Sequence, residues 1–258
     1  MHFMRSSCNL YKMEREIKTY DARIHHPFTA IVNGPSGAGK TTFVHKMLLD
    51  KDVIDTTFDK IYIFIGTPLS QNKIFTQLSE ALPGVVEIIY LQNLYPNLKK
   101  SKFSEEMTSV LNDNNAKGWK TCVIFDDLMS EMSELTLLGD LFSRLSTHTN
   151  TSVLNLTQNI FHRGAGSSNV TVSRNAKILV MFKSKGDKTV FRHLAMKQAT
   201  AKYPVSNLVK FFEEVTNKYR YISCHFNFEC PEELTYRTDW FATEPFRHVK
   251  VVFPVEKK

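Results

Sequence analysis

The sequence lacks the features of membrane proteins and of disulfide-stabilised proteins. It contains no run that approaches about 18 uninterrupted apolar residues, and residues 1–23 contain no apolar core of a signal peptide. Cysteine is scarce and scattered, at Cys8, Cys122, Cys224 and Cys230. No two cysteine pairs stand at the spacing of zinc ligands. We therefore expect a soluble protein of a reducing compartment that is neither secreted nor membrane-spanning.

Internal repeats, linkers and low-complexity tracts are also absent from the sequence. The 258 residues are 42% hydrophobic and 23% charged, which is the ordinary composition of a folded globular protein and argues against general disorder. A chain of this length can bury a sizeable core. We therefore expect one domain.

The segment from Gly34 to Thr41 carries the complete phosphate-binding pattern G-x-x-x-x-G-K-[ST]. Its glycines allow successive backbone N–H groups to face a polyphosphate, while Lys40 can reach the β and γ phosphates and Thr41 can hold Mg²⁺. Apolar residues 28–32 predict the strand that enters the loop, and the apolar spacing of residues 42–49 predicts the helix that leaves it. A glycine-rich turn without function is the alternative. The predicted nucleotide-binding residues are Gly34, Pro35, Ser36, Gly37, Ala38, Gly39, Lys40, Thr41 and Thr42.

Further along the chain, apolar runs alternate with segments of helical periodicity. Runs typical of strands are residues 60–66, 85–91, 121–125, 152–157, 176–182 and 219–226. Segments with the apolar spacing of helices are residues 103–111, 135–145, 188–199 and 205–218. This order predicts an α/β fold of the P-loop NTPase type (RecA-like, or ASCE), with three layers and a mostly parallel central sheet flanked by helices. The ligand site of such a sheet lies at the carboxyl ends of its strands.

Two acidic residues and an amide follow successive predicted strands. Asp126 and Asp127 end the apolar run 121–125, as in a Walker B element. If this strand lies beside the strand of the phosphate loop, as we expect, Asp126 can hold Mg²⁺ and Asp127 can orient or deprotonate the attacking water. Gln158 ends the next strand, where an amide can position water or sense the loss of phosphate. The alternatives are that the aspartates cap a turn and that Gln158 is a surface amide, with Asn159 as its competitor.

These motifs resemble the FtsK–HerA superfamily, and within it the genome-packaging ATPases of Maverick/Polinton-like and adintovirus-type DNA elements. The most specific likeness is the sequence Asp-Asp-Leu-Met at 126–129, followed by Leu-Thr-Gln-Asn at 156–159. The resemblance extends over residues 24–245. It implies an ATPase domain over that range, between an amino-terminal extension at 1–23 and a carboxyl-terminal tail at 246–258.

The resemblance implies a motor that packages double-stranded viral DNA into a capsid. Such a motor is a ring, a pentamer or a hexamer, that hydrolyses ATP between its subunits. The implied catalytic residues are Lys40, Asp127 and Gln158, and the implied Mg²⁺ ligands are Thr41 and Asp126. The expected cofactors are ATP and Mg²⁺, and the expected partners are double-stranded DNA, further copies of the chain and viral capsid components. The expected location is the host cell nucleus or a cytoplasmic virus factory, and some copies are expected in the virion.

A ring of this kind needs an arginine that one subunit inserts into the site of its neighbour. Relatives commonly place it shortly before the glutamine-bearing strand, whereas residues 147–150 contain no arginine here. Arg144 lies a turn earlier, and Arg163 and Arg174 follow the glutamine strand. These three residues are the candidates.

The sequence is basic, with a net charge of +7, and this favours a polyanionic partner. The candidate DNA-contacting residues are Lys183, Lys185 and Lys188, which surround Gly186. A loop of this kind can hold backbone phosphates without reading the base sequence. An ordinary solvated basic loop, in a protein that is merely basic, is the alternative.

Three other classes of P-loop protein fit the residues less well. A viral replicative helicase or initiator typically has an asparagine where Gln158 stands, and usually a fused domain that we do not expect in the short segment before Phe28. A small-molecule or nucleotide kinase needs an arginine-rich lid, and none stands out in the sequence. The intact Lys40, Asp126 and Asp127 argue against a scaffold that does not hydrolyse nucleotide.

Overall fold

The computed structural model describes residues 20–66, 73–91, 100–128, 136–160, 168–184, 189–199, 204–219, 221–241 and 250–251. The strands are β1 Thr29–Asn33, β2 Lys60–Ile65, β3 Val86–Tyr90, β4 Thr121–Asp126, β5 Thr151–Thr157, β6 Ile178–Phe182, β7 Tyr221–His225, β8 Tyr236–Thr238 and β9 Lys250–Val251. The helices are α1 Lys40–Leu49, α2 Lys73–Ala81, α3 Lys100–Ala116, α4 Thr136–Asp140, α5 Ser146–His148, α6 Ser168–Asn175, α7 Thr189–Gln198 and α8 Val205–Tyr219. A π-helical turn, Leu141–Leu145, joins α4 to α5, and a 3₁₀ turn, Glu232–Leu234, precedes β8.

The strands form one sheet in the order β3-β2-β4-β5-β1-β6-β7-β8-β9. The first six strands in this order, β3, β2, β4, β5, β1 and β6, are parallel to one another. Strands β7, β8 and β9 continue the sheet with antiparallel pairing. Every residue of β1, β4 and β6 is buried, because helices cover both faces of the parallel part. The prediction of a mostly parallel α/β sheet flanked by helices is confirmed.

Two separate cores lie on the two faces of the sheet. In β2, Phe64 packs in the core that contains residues of α3, α4, α7 and α8, while its neighbour Ile63 packs in the core that contains Val44 of α1 and Leu78 of α2. Neighbouring residues of a strand point to opposite faces, so a continuous apolar run feeds both cores. The molecule therefore has three layers.

The order of the strands differs from one expectation. The strand that ends at Asp126 does not lie beside β1, because β5 lies between β4 and β1. In this arrangement Ile31 of β1 aligns with Asn155 of β5, and Leu154 of β5 aligns with Ile124 of β4. Apolar runs predict which segments are buried strands but carry little information about which strands pair. The prediction that β4 lies beside β1 was therefore wrong. Strand β5, which Gln158 follows, lies beside β1.

Some elements were not anticipated from the sequence. They are α2, α6, β8 and β9. The two short strands β8 and β9 extend the antiparallel edge of the sheet. Strand β8 pairs with β7 and β9 pairs with β8, so their order comes from this pairing and not from a long apolar run. Within the described residues, no helix combines the length and the apolar character needed to cross a bilayer.

Candidate nucleotide-hydrolysis site

The phosphate loop takes its shape from its glycines. Gly37 and Gly39 have φ angles of +73° and +99°, a region that residues with a Cβ rarely adopt. Gly34 is required for a different reason, since a Cβ added there would lie 2.7 Å from the Cβ of Phe182 in β6. The loop therefore fits closely between the ends of β1 and β6.

Backbone hydrogen bonds hold the loop at the carboxyl ends of β1 and β5. The N–H of Gly34 donates to the carbonyl of Thr157 at 3.2 Å, and the N–H of Ala38 donates to the carbonyl of Pro35 at 3.2 Å. Helix α1 begins immediately after the loop, and Gly39 provides no side-chain cap for its first turn. The uncapped N–H groups and the positive end of the helix dipole thus lie where an anionic phosphate would bind.

Lys40 is the cation of the loop. Its side chain is only 7% exposed, and Nζ donates hydrogen bonds to the carbonyl oxygens of Gly34 at 2.8 Å and Pro35 at 3.2 Å. Burial lowers the pKa of Lys40, and the charges of Asp127 and Asp126 oppose that shift. The ammonium is held by neutral acceptors, so a phosphate oxygen would be a stronger partner for it.

Asp126 and Thr41 form the candidate metal pair. The Thr41 hydroxyl donates to Oδ2 of Asp126 across 3.5 Å. Two oxygens bound to one Mg²⁺ at about 2.1 Å lie roughly 3.0 to 4.2 Å apart, depending on the angle between them, so the pair fits a shared ion. Burial and the neighbouring Asp127 raise the pKa of Asp126 to about 6, against the opposing effects of Lys40 and Thr41. A bound divalent cation would favour the ionised carboxylate.

Asp127 faces a different neighbour from Asp126. Its φ angle is +53°, in the left-handed region that aspartate tolerates better than most residues. The backbone N–H of Asp127 donates to the carbonyl of Leu156 at 3.1 Å, and the amide Nε2 of Gln158 donates to Oδ2 of Asp127 at 2.7 Å. Strained backbone of this kind costs roughly 1–3 kcal/mol and is concentrated at functional sites. The structure thus brings Asp127 and Gln158 into direct contact at the edge where the phosphate loop lies.

Asn33 is a further candidate site residue, which the sequence analysis missed. It ends β1, is 5% exposed, and its Oδ1 has no hydrogen-bond partner among the described residues. With Gly34, Pro35 and Gln158 it lines a pocket of about 210 Å³ that continues to the end of β6 and to α7. The available signal was a polar residue that ends an apolar strand directly before the loop.

The remaining candidate residues have other contacts in the structure or lie outside the described residues. Arg144 lies in the π-helical turn, where its Nη2 is 3.5 Å from Oδ1 of Asp140. Arg174 is an exposed residue in the last turn of α6. Lys183 follows β6, and its ammonium donates to the side chain of Asn217. Three further candidates, Arg163, Lys185 and Lys188, lie outside the described residues.

Solved structures similar to this chain have low sequence identity to it. The genome-packaging NTPase B204 of Sulfolobus turreted icosahedral virus 2, solved with ATPγS, is 14% identical, with a TM-score of 0.50 over 79% of this chain and 94% of that chain. EssC (ATPases 2 and 3) of Geobacillus thermodenitrificans is 14% identical, with a TM-score of 0.41 over 60% of this chain and 32% of that chain. The KaiC-like protein PH0186 of Pyrococcus horikoshii OT3 is 14% identical, with a TM-score of 0.40 over 62% of this chain and 75% of that chain. No curated protein matches the sequence.

A sequence-family comparison is more specific than these structural similarities. The family described as Poxvirus A32 protein matches residues 17–222, which include the phosphate loop, Asp126, Asp127 and Gln158. This range is most of the chain. With its intact phosphate loop and acidic pair, the chain is a P-loop ATPase that belongs to the Poxvirus A32 protein family.

Proposed function

We propose that this ATPase drives double-stranded viral DNA into a capsid as a ring whose ATP sites lie between subunits. The observation that carries the proposal is the convergence of Lys40, Thr41, Asp126, Asp127 and Gln158 at one edge of the sheet. Membership of the A32 family and the shared fold with a genome-packaging NTPase support it, as does the net charge of +7. The narrower likeness to Maverick and adintovirus ATPases stays a prediction.

We assign the binding of Mg²⁺ to Thr41 and Asp126. When bound, the ion neutralises charge on the β and γ phosphate oxygens. The Thr41 hydroxyl and the Asp126 carboxylate already lie 3.5 Å apart, so little rearrangement is needed for both to contact one ion. Because Asp126 is 8% exposed, it is held away from competing water.

The chain's own residues then perform the hydrolysis. Lys40 exchanges its carbonyl partners for phosphate oxygens and stabilises the charge that develops on them. Asp127 accepts a proton from a water molecule as the water oxygen attacks the γ phosphorus. The bond from that phosphorus to the β–γ bridging oxygen breaks, and the products are ADP and inorganic phosphate.

Gln158 controls the orientation of Asp127 in this scheme. Its amide occupies Oδ2 of Asp127 at 2.7 Å, which leaves Oδ1 to face the water. Gln158 also lines the pocket beside Gly34 and Pro35 at the start of the phosphate loop. A change at the γ phosphate can therefore reach Asp127 through a single side chain.

The proposal is tested by steady-state ATPase assays with and without long double-stranded DNA. We expect DNA to stimulate turnover, and we expect Lys40→Ala and Asp127→Asn each to lower turnover by roughly 10²-fold or more. Lys46→Ala is the matched control, since Lys46 is an exposed lysine of the same helix α1. Absence of stimulation by DNA, or full turnover in both variants, would contradict the motor. Unwinding of forked DNA without stimulation by intact duplex would favour the viral helicase instead.

The assembly is tested separately by light scattering. A non-hydrolysable ATP analogue, with and without duplex DNA, is expected to produce a particle of the mass of a pentamer or hexamer. A strict monomer under every condition would argue against the ring. The capsid partners and the location, in the host nucleus, in a cytoplasmic factory or in the virion, belong to the same proposal and are tested by fractionation of infected cells.

A further inference from the structure

A second pocket lies at the opposite end of the parallel strands from the phosphate loop. It has a volume of about 230 Å³ and includes Phe28 before β1, Lys177 and Ile178 at the start of β6, and His225 at the end of antiparallel β7. The phosphate loop follows the carboxyl end of β1, so this pocket belongs to the amino ends of the parallel strands. The hydrolysis mechanism uses none of its residues.

Arg237 of β8 is a buried cation in this pocket. It is 4% exposed, and its hydrogen-bond acceptors are the carbonyl oxygen of Leu234 at 2.6 Å, the carbonyl oxygen of Ala22 at 2.6 Å and the Sγ of Cys230 at 3.2 Å. None of these acceptors is a carboxylate, and within the described residues Arg237 forms no ion pair. A guanidinium has five N–H donors, so the three contacts leave donors for a further acceptor. Burial lowers the pKa of Arg237, which reflects the cost of a desolvated charge.

The other charged groups of the pocket leave this cation in excess. Lys177 is half-buried, and within the described part of the chain the hydrogen bond of its Nζ is a long one, 3.4 Å to the carbonyl of Pro27. At the rim, Arg23 and Asp21 pair with each other at 2.7 Å. Glu229 is an exposed residue of the lining. The lining thus contains two carboxylates and three cations. Asp21 pairs with Arg23 and its charge also acts on Arg237, so one positive charge remains in excess.

We propose that this pocket binds a phosphate group through Arg237 and Lys177. A guanidinium fork and an ammonium are the side chains that proteins use for phosphate, and a tetrahedral dianion has enough oxygens to meet both. A pocket of about 230 Å³ has room for such an anion with several waters, at roughly 30 Å³ each. The source is either free phosphate or the terminal phosphate of a nucleic-acid strand, because an internal phosphate of a rigid duplex does not reach a side chain that is 4% exposed.

The site is tested by calorimetric titration of the full chain with inorganic phosphate at constant ionic strength. A phosphate loop also binds phosphate, so the titration uses the Lys40→Ala background. We expect one saturable site, and we expect Lys177→Gln to weaken it roughly tenfold, as loss of a charge-assisted hydrogen bond implies. The matched control is Lys60→Gln. Lys60 is the first residue of β2, as Lys177 directly precedes β6, and it donates to a backbone carbonyl, that of Gly84, away from this pocket.

Further arms identify the source of the phosphate and guard against unfolding. A 5′-phosphorylated oligonucleotide that binds more tightly than both inorganic phosphate and its unphosphorylated counterpart would identify a strand end, and binding no tighter than inorganic phosphate would identify free phosphate. Arg237→Lys keeps the charge but removes the fork, and is expected to weaken binding further in a variant that melts cooperatively. If it does not fold, Lys177→Gln alone decides. Absence of binding in the Lys40→Ala background, or equal binding by Lys177→Gln and Lys60→Gln, would overturn the proposal.

Discussion

At the scale of single residues, the consecutive aspartates Asp126 and Asp127 differ in backbone conformation and in surroundings. Asp126 continues the extended strand and is buried against Thr41, whereas Asp127 turns into the left-handed region and is exposed beside Gln158. One carboxylate thus suits a metal ligand, and the other suits a base that must meet water. The dipeptide alone does not carry this difference, because it depends on what lies around each side chain.

The assignment of Asp127 as the base predicts a specific kinetic change. Asp127→Asn keeps the shape of the side chain but removes the proton acceptor, so kcat should fall roughly 10²–10⁴-fold while KM for ATP changes little. Steady-state kinetics at saturating Mg²⁺ measure both constants. Asp113→Asn, at an exposed position of α3, is the control and should leave both unchanged. A rise in KM with unchanged kcat would assign Asp127 to substrate binding instead.

The close contact at Gly34 predicts that a larger residue there lowers the free energy of unfolding. Gly34→Ala places a methyl group 2.7 Å from the Cβ of Phe182, so β1 and β6 must separate locally at a cost of about 1–3 kcal/mol in the free energy of unfolding. Urea unfolding measures this cost. Gly118→Ala is the comparison, since no atom lies within 4 Å of the added methyl and the cost comes only from its φ of +73°. Equal stability of wild type and Gly34→Ala would show that the edge of the sheet relaxes without cost.

At the scale of elements, the contact between β4 and β5 decides the arrangement of the site. Because β5 lies between β4 and β1, Gln158 lies within reach of Asp127 as well as of the phosphate loop. Gln158→Ala should therefore lower kcat without a matching change in nucleotide affinity, which fluorescent-nucleotide titration can measure. Asn159→Ala tests the competing amide one residue further along, and should leave kcat unchanged if Gln158 is the residue that acts. Loss of nucleotide affinity in Gln158→Ala would indicate a role in binding.

A buried histidine in the antiparallel part of the sheet should make the stability of the protein depend on pH. His225 of β7 is buried, and burial together with the charge of Arg237 lowers its pKa well below 6.5. It is neutral in the folded chain, while the unfolded chain takes up a proton below about pH 6.5. Its contribution to stability is therefore complete above that pH and declines as pH falls, by at most about 1.4 kcal/mol per pH unit. Urea unfolding at several pH values should show a shallower decline for His225→Gln than for the exposed-residue control His193→Gln; equal slopes would contradict it.

At the scale of the whole molecule, none of the site's hydrogen bonds between described residues involves an arginine. Each candidate, Arg144, Arg163 and Arg174, is tested by mixing its alanine variant with Lys40→Ala. Both variants should be inactive alone, and a mixed ring should recover part of the ATPase rate when the arginine acts on a neighbour, because some interfaces then contain an intact Lys40 and an intact arginine. Absence of recovery with all three would show that none of them acts between subunits.

Much of the fold and of the site follows from the sequence because the signals are local. The phosphate loop is contiguous, and its glycines, Lys40 and Thr41 hold their relative places through backbone geometry alone. The apolar runs that predicted β2, β4 and β6 are correct to within one or two residues, since burial on both faces of a sheet demands an uninterrupted run. The short elements β8 and β9 were missed because their order comes from pairing at the edge of the sheet.

The sequence by itself determined that this protein has a P-loop ATPase fold with a phosphate loop followed by an acidic strand end. Only the tertiary structure decided that β5 separates β4 from β1, that Gln158 contacts Asp127, and that Arg237 and Lys177 line one pocket. The physical reason is range. Loop conformation and apolar periodicity depend on residues close in sequence, whereas strand order and the neighbours of a buried charge depend on contacts between segments far apart along the chain.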